Sequence, residues 1–184
     1  MTALMMKKSM LALAATAALT FAAPAFAAGG GGDGEPTPTE TTTTCTGGKV
    51  WDKQKKKCVE PNKSGFNDTQ LYEAAREFAY AGQYGNALAV LKVAGNQDDP
   101  RILNYYGFTH RKLGNIDVAM DYYQRAIAAD ADYLLARSYM GQGLVLQGDI
   151  EGARMQLVEI RDRGGRDTYA YRALYEALKS GSTY

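Results

Sequence analysis

Residues 100–133 read PRILNYYGFTHRKLGNIDVAMDYYQRAIAADADY, and their pattern decides the fold. Apolar and aromatic side chains recur at helical spacing on both sides of Leu113-Gly114-Asn115, which reads as two helices joined by a glycine turn. Ala119 stands five residues after Gly114. The same arrangement precedes this stretch in AGQYGNA, with Gly82 and Ala87, and follows it in QGDIEGA, with Gly148 and Ala153. The three glycines lie 32 and 34 residues apart, a pitch that a repeated helix pair explains economically.

Laid on these landmarks, 100–133 offers Gly107 in its first helix, Gly114 in the turn, and Ala119, Tyr123 and Ala126 in its second. The stretch 134–167 offers Gly141, Gly148, Ala153 and Leu157, with Ile160 in place of the last small residue. The stretch 68–99 offers Leu71, Ala75, Phe78, Gly82, Ala87, Leu91 and Ala94, and ends two residues early where Pro100 opens the next helix. Over about 115 residues the chain resembles the tetratricopeptide repeat (TPR) family, with Arg137 standing where a large apolar side chain is usual. The resemblance implies an all-α, right-handed helix-pair solenoid of three units, closed by a C-terminal capping helix over 168–179, the whole domain spanning 66–180. Ala75, Gly107 and Gly141 then let each first helix approach its second closely, and Ala87, Ala119 and Ala153 do so from the other side. Gly164-Gly165 reads as a left-handed cap on the preceding helix. Tyr175 occupies the position that holds Ala75, Gly107 and Gly141 in the units, as expected of a terminal helix that nothing follows.

Upstream of Phe66 the composition is different, and all 13 tyrosines lie beyond it. Residues 1–27 have the form of an export signal: Lys7-Lys8, an apolar run from Ser9 to Ala22, and an A-x-A site at Ala25 and Ala27, giving a predicted mature start at Ala28. The apolar run is shorter than the ~20 residues a spanning helix needs, so the expected destination is periplasmic or secreted. Residues 28–44, AGGGGDGEPTPTETTTT, carry no large apolar side chain and are expected to form a disordered tether, flexible at the glycines and extended around Pro36 and Pro38.

Cys45 and Cys58 are even in number in a chain read as exported, which predicts one disulfide. Val50 and Trp51 favour a strand and 52–55 a turn, so 45–65 is expected to hold a crosslinked hairpin and its linker. The segment resembles short cysteine-bracketed G-x-V-W-D segments of exported proteins of Gram-negative bacteria. Between Cys45 and Lys63 six lysines (49, 53, 55, 56, 57 and 63) face Asp52 and Glu60, a net charge of +4. Trp51 with Lys53, Lys55, Lys56 and Lys57 therefore forms one candidate surface, for an envelope polymer or an anionic lipid headgroup. The plainer reading is a solvated turn with Trp51 covering the disulfide.

The charge and chemistry exclude other classes. Loss of Lys7 and Lys8 with the leader takes 21 basic side chains to 19 against 20 acidic ones, a net charge of −1, so nucleic acid is not an expected partner. His110 is the sole histidine and falls at a packing position; with two paired cysteines it makes no metal cluster. No nucleophile–base motif or phosphate-binding glycine loop is present, and Asp98-Asp99 and Asp130-x-Asp132 sit where helix caps belong. A binding protein with no catalytic centre and no cofactor is expected, not an enzyme.

By resemblance, the partner is a protein or peptide held in a concave groove lined by the first helices. Its residues would be Tyr72, Arg76 and Tyr80, then Arg101, Asn104, Phe108 and Arg111, then Ser138 and Gln142, with Tyr169 and Arg172 of the cap. Tyrosine and arginine are frequent interface anchors, and some of these tyrosines are expected to pack between repeats instead. The lysine-asparagine clamp that some family members use for acidic tails is not reproduced.

Overall fold

Eight helices and one short hairpin make up the computed structural model of this protein, which describes residues 34–183. The predicted signal peptide, the mature start at Ala28 and the beginning of the tether lie outside the described residues. The elements are α1 (Glu40–Thr43), β1 (Val50–Asp52), β2 (Lys57–Val59), α2 (Asp68–Tyr80), α3 (Tyr84–Leu91), α4 (Pro100–Lys112), α5 (Ile116–Ala129), α6 (Leu134–Gln147), α7 (Ile150–Asp162) and α8 (Tyr169–Ser180). The protein is mostly helical and repeat-like: α2 pairs with α3, α4 with α5 and α6 with α7, each first helix touches the next, and α8 closes on α6 and α7.

Local chemistry sets these boundaries. Asn67 and Gln70 form a reciprocal capping box at the start of α2. Asp99 caps α4 ahead of Pro100 in the first turn, its carboxylate accepting from Arg101 N at 2.8 Å. Gly82, Gly114 and Gly148 all have φ between +73° and +82°, the left-handed region that glycine enters freely, so each turn reverses the chain without strain. Gly164 takes the same conformation, whereas Gly165 is buried and faces Leu134 and Ile160 instead. Burial alone would push the Asp99 carboxyl up, but hydrogen bonds from the Arg101 side chain and backbone outweigh it and hold the group below its ordinary value of 3.8. Asp99→Ala should cost about 1 kcal/mol of stability at neutral pH. The lowered folded pKa means that this contribution is full above pH ~4 and fades as pH falls through the folded value. Urea titrations of both proteins at pH 7 and pH 3 check it.

The core runs through all the helix pairs. Ala87, Ala119 and Ala153 are fully buried, as is Ala75. Gly107 lies against the ring of Tyr123 on α5, the close approach expected within its pair. Gly141 differs. The group that would meet a side chain there is Leu174 of α8, not a residue of α7, because the capping helix packs directly on α6. Tyr175 faces outward and is 49% exposed. Arg137, on α6, is buried: it donates twice to the Ala131 carbonyl, at 3.1 and 3.0 Å, and meets Glu159 of α7 at 3.6 Å.

The hairpin is paired with Trp51 opposite Cys58 and is closed by the Cys45–Cys58 disulfide. It is not a detached appendage. Val50 is 4% exposed and belongs to the same hydrophobic cluster as Leu71, Ala74 and Phe78, and Gly48 rests on Asn86 of α3. The threonine run also departs from expectation. Instead of a disordered tether, 39–44 form a helical turn, capped by Thr39 and tied to α2. The buried Glu77 carboxylate accepts from Thr39 N and Oγ1, both at 2.7 Å, and from Thr42 N and Oγ1. Low hydrophobicity predicted disorder here, but satisfying a buried carboxylate supplies the ordering interaction instead.

Candidate binding face of the first helices

The expected groove residues lie on the first helices α2, α4 and α6 and on α8. On α4 they form a stripe through Arg101, Asn104, Phe108 and Arg111, whose spacing of three, four and three residues keeps them on one face. On α2 they are Tyr72, Arg76 and Tyr80, on α6 Ser138 and Gln142, and on α8 Tyr169 and Arg172. The structure brings most of these together, but it buries more of them than an open groove would. Tyr72, Asn104, Phe108, Arg111, Ser138 and Gln142 are all 7% exposed or less, whereas Arg76, Tyr80, Arg101 and Tyr169 are half-buried and Arg172 is exposed.

Aromatic packing accounts for part of that burial. Tyr80 stacks on Phe108 with ring centroids 5.2 Å apart, and Phe108 meets Tyr139 at 5.1 Å. Tyr72 sits edge-on to Tyr105 at 5.5 Å under the guanidinium of Arg101. Phe108 is thus a core residue rather than an exposed anchor, and so is Tyr72. Tyr105 and Tyr139, which the sequence reading omitted, tie the stripe together: Tyr139 shares a 2.8 Å hydroxyl hydrogen bond with Tyr80, and Tyr105 accepts from Arg76 Nε at 3.0 Å. Their spacing of 34 residues, the repeat length, was the available signal.

The stripe has two contacts with chain segments outside the helix pairs. The Gly34 carbonyl accepts from Arg76, and a side chain at position 34 would come within 4.0 Å of the Tyr169 ring. Thr183 Oγ1 accepts from Arg111 Nη1 at 3.1 Å. Arg172 is exposed and donates to the Asp167 carbonyl at 2.8 Å, and with Tyr169 it lines a shallow hollow of about 370 Å³ on α8. Among the described residues, Asn104 and Ser138 are fully buried with no partner for their side-chain polar atoms.

The second candidate surface is the hairpin. Lys53, Lys55, Lys56 and Lys57 are exposed, and Trp51 is half-buried. Lys55 is not simply solvated: it pairs with Asp52 at 2.9 Å and reaches the Ser64 carbonyl. Asp52 also shapes the turn, accepting from the backbone N–H groups of Gln54 and Lys55 at 2.9 Å each, and its carboxyl is held below the ordinary value by these bonds. Between hairpin and α2 lies a cavity of about 420 Å³ lined by Trp51, Lys53, Phe66, Gln70 and Glu73 among others.

His110 is half-buried and stacks on Tyr122, with centroids 5.7 Å apart and planes at 6°. Burial holds its imidazole below the ordinary pKa, so it is neutral near physiological pH. Asp98 pairs with Arg125, and Asp132 with Arg163, as surface ion pairs at the helix junctions. No helix among the described residues is long and apolar enough to cross a membrane, and no cysteine among them is free. Comparison with protein-family models, with curated proteins and with solved structures finds no match to this chain.

Proposed function

We propose that this chain is an exported tetratricopeptide-repeat scaffold that binds a peptide or protein partner along the stripe of its first helices, by recognition and not by catalysis. In this reading the units are 68–99, 100–133 and 134–167, stacked as a right-handed solenoid, with α8 as the cap and 45–65 as a crosslinked hairpin. The carrying observation is the pair Asn104 and Ser138. They stand 34 residues apart at matching places in successive units, are wholly buried, and hold polar atoms with no partner among the described residues. A buried polar group without a partner is destabilising, so a native fold that keeps two in register has a use for them. An extended peptide supplies alternating N–H and C=O groups at that surface. Gly34 and Thr183 rest on Arg76 and Arg111 of the same stripe, and in this reading the partner displaces them.

The test is site-specific photocrosslinking of the exported protein to an envelope extract, with the crosslinker at position 101, 172 or 53. Adducts are expected from 101 and 172. Arg101→Gln with Arg172→Gln should weaken capture about tenfold, with a melting shift of only a few degrees, because both guanidinium groups are at least partly solvated. Phe108→Ala is unsuited to this test, since emptying so buried a site costs about 3–5 kcal/mol.

A second reading, an envelope polymer or anionic lipid bound by the hairpin, draws support from the cavity beside Trp51 and Lys53. It expects adducts from position 53 alone and loss of binding between low and moderate salt.

A further inference from the structure

Residues 34–44 are fastened at one end and lightly held at the other. Thr39 and Thr42 donate both their N–H groups and both their hydroxyls to the buried Glu77 carboxylate, and each Thr39 bond is 2.7 Å long. The Thr41 hydroxyl, also buried, accepts from Trp51 N at 3.3 Å and ties the turn to the crosslinked hairpin. Upstream of Thr39 the hold is lighter: Glu35, Thr37 and Pro38 are exposed, Pro36 is half-buried, and 34–38 carry no large apolar side chain. The Gly34 carbonyl accepts from Arg76 of α2, and a Cβ at position 34 would meet the Tyr169 ring of α8 at 4.0 Å. Arg76 and Glu77 are adjacent in sequence, so their side chains leave α2 about 100° apart, and a segment that meets both passes around the helix. The Arg76 guanidinium carbon is 6.0 Å from the Tyr80 ring. Burial pushes the Tyr80 phenol well up, the neighbouring Tyr105 and Tyr169 add to the rise, and the Tyr139 hydrogen bond opposes it. Gly34 thus rests beside the place where Tyr80 of α2 and Tyr169 of α8 come together.

We propose that 34–38 form a strap, hinged at Thr39 and clamped through Glu77, that covers Arg76 and Tyr169 in the unbound protein and is displaced by an extended partner segment carrying a large apolar side chain against Tyr169. The partner rests on the reading of this face as a binding surface; the strap does not. With no large side chain of its own to bury, the strap grips through one carbonyl and van der Waals contact, so it belongs to the part of a fold that opens at low cost. Pro36 and Pro38 limit the freedom it gains on release, so it reseats readily. The clamp keeps the hinge beside α2, and the strap competes as a tethered ligand at high effective concentration. An incoming extended segment offers Arg76 a backbone carbonyl in exchange, so no guanidinium hydrogen bond is lost in the swap. The exchange is selective because glycine leaves the Tyr169 ring uncovered. The ring is the one group within 4 Å of a Cβ at position 34 among the described residues, and Gly34 is not in the left-handed region, so a side chain is admitted there. A partner that supplies one gains apolar contact that the strap lacks.

The test uses the full chain in its exported form with a benzophenone photocrosslinker at position 169, its adducts mapped by mass spectrometry. In the unaltered protein irradiation should join 169 to the segment that contains Gly34. Glu77→Gln removes the charge that holds the four threonine donors. It should cut the internal adduct about fivefold and speed cleavage after Glu40 by a glutamate-specific protease about tenfold. Gly34→Leu should act in the opposite sense, raising the internal adduct about two- to threefold and slowing cleavage after Glu35, because it adds apolar contact with the ring. With envelope extract present, partner adducts at 169 should be most abundant in Glu77→Gln and least in Gly34→Leu. Should Glu77→Gln fail to fold, Thr39→Ala with Thr42→Ala removes the hydroxyl donors and leaves α2 unaltered. An unaltered protein that gives no internal adduct overturns the strap, as does cleavage at one rate in all the proteins. Partner adducts of equal yield in all of them overturn its role as a cover. No partner adduct from any protein, with the internal adduct following the variants as expected, leaves the strap standing and removes the reading of this face as a binding surface.

Discussion

Gly107→Leu should abolish cooperative folding of the second helix pair. A Cβ at that position would lie 2.5 Å from Tyr123 Cε1 and 2.7 Å from Cδ1, closer than van der Waals contact allows. Tyr123 has nowhere to go, being fully buried, bonded to Arg111 and packed near Tyr139. Inserting one or two methylenes into a packed core already costs about 1–3 kcal/mol, and leucine adds four carbons where the first is excluded. A loss of more than about 3 kcal/mol is therefore expected, a large share of a typical domain's stability. Gly85→Ala is the matched control. Nothing lies within 4 Å of a Cβ built there, and the residue is inside α3, so the change should raise stability by up to about 1 kcal/mol. Urea unfolding followed by circular dichroism reads both. Similar midpoints for the two variants would mean that α4 and α5 do not meet at Gly107.

Removing the crosslink should be nearly as severe. Cys45→Ala with Cys58→Ala opens a short loop, and the chain-entropy model puts the loss at about 3 kcal/mol. The effect should not stay local, because Val50 contributes to the core beneath α2 and the threonine turn is pinned to Glu77 from the same side. Hydrogen exchange should show α2 amides losing protection along with those of the hairpin, while α6 and α8 keep theirs. Faster exchange in the hairpin alone, at an unchanged melting point, would show that it decorates the first pair without supporting it.

The helices, their turns and the tight contact at Gly107 were legible because small residues and glycines at a fixed pitch have few other uses. Which neighbour fills a small position was less so: periodicity gives the face of α6 that Gly141 occupies but not whether Leu157 or Leu174 meets it. The threonine turn was missed because its ordering comes from Glu77, 35 residues downstream of Thr42, and a lone glutamate on a helix reads as solvated. Most of the first-helix stripe was expected to be open and is buried. Helical spacing says that Asn104, Phe108 and Arg111 point together; it does not say that Tyr80 and Tyr139 close over Phe108. The hairpin's support of α2 was invisible for a similar reason, since Val50 in a three-residue strand carries no periodic signal.

The pairing of each helix with its neighbour in sequence bears on how the protein assembles. The most extensive packing joins helices adjacent along the chain, so the main docking steps close short loops at small entropic cost. The crosslinked cysteines are only 13 residues apart and precede all the helix pairs. A chain that emerges amino end first can therefore complete its hairpin, seat α2 and α3 on it, and add the remaining pairs in order.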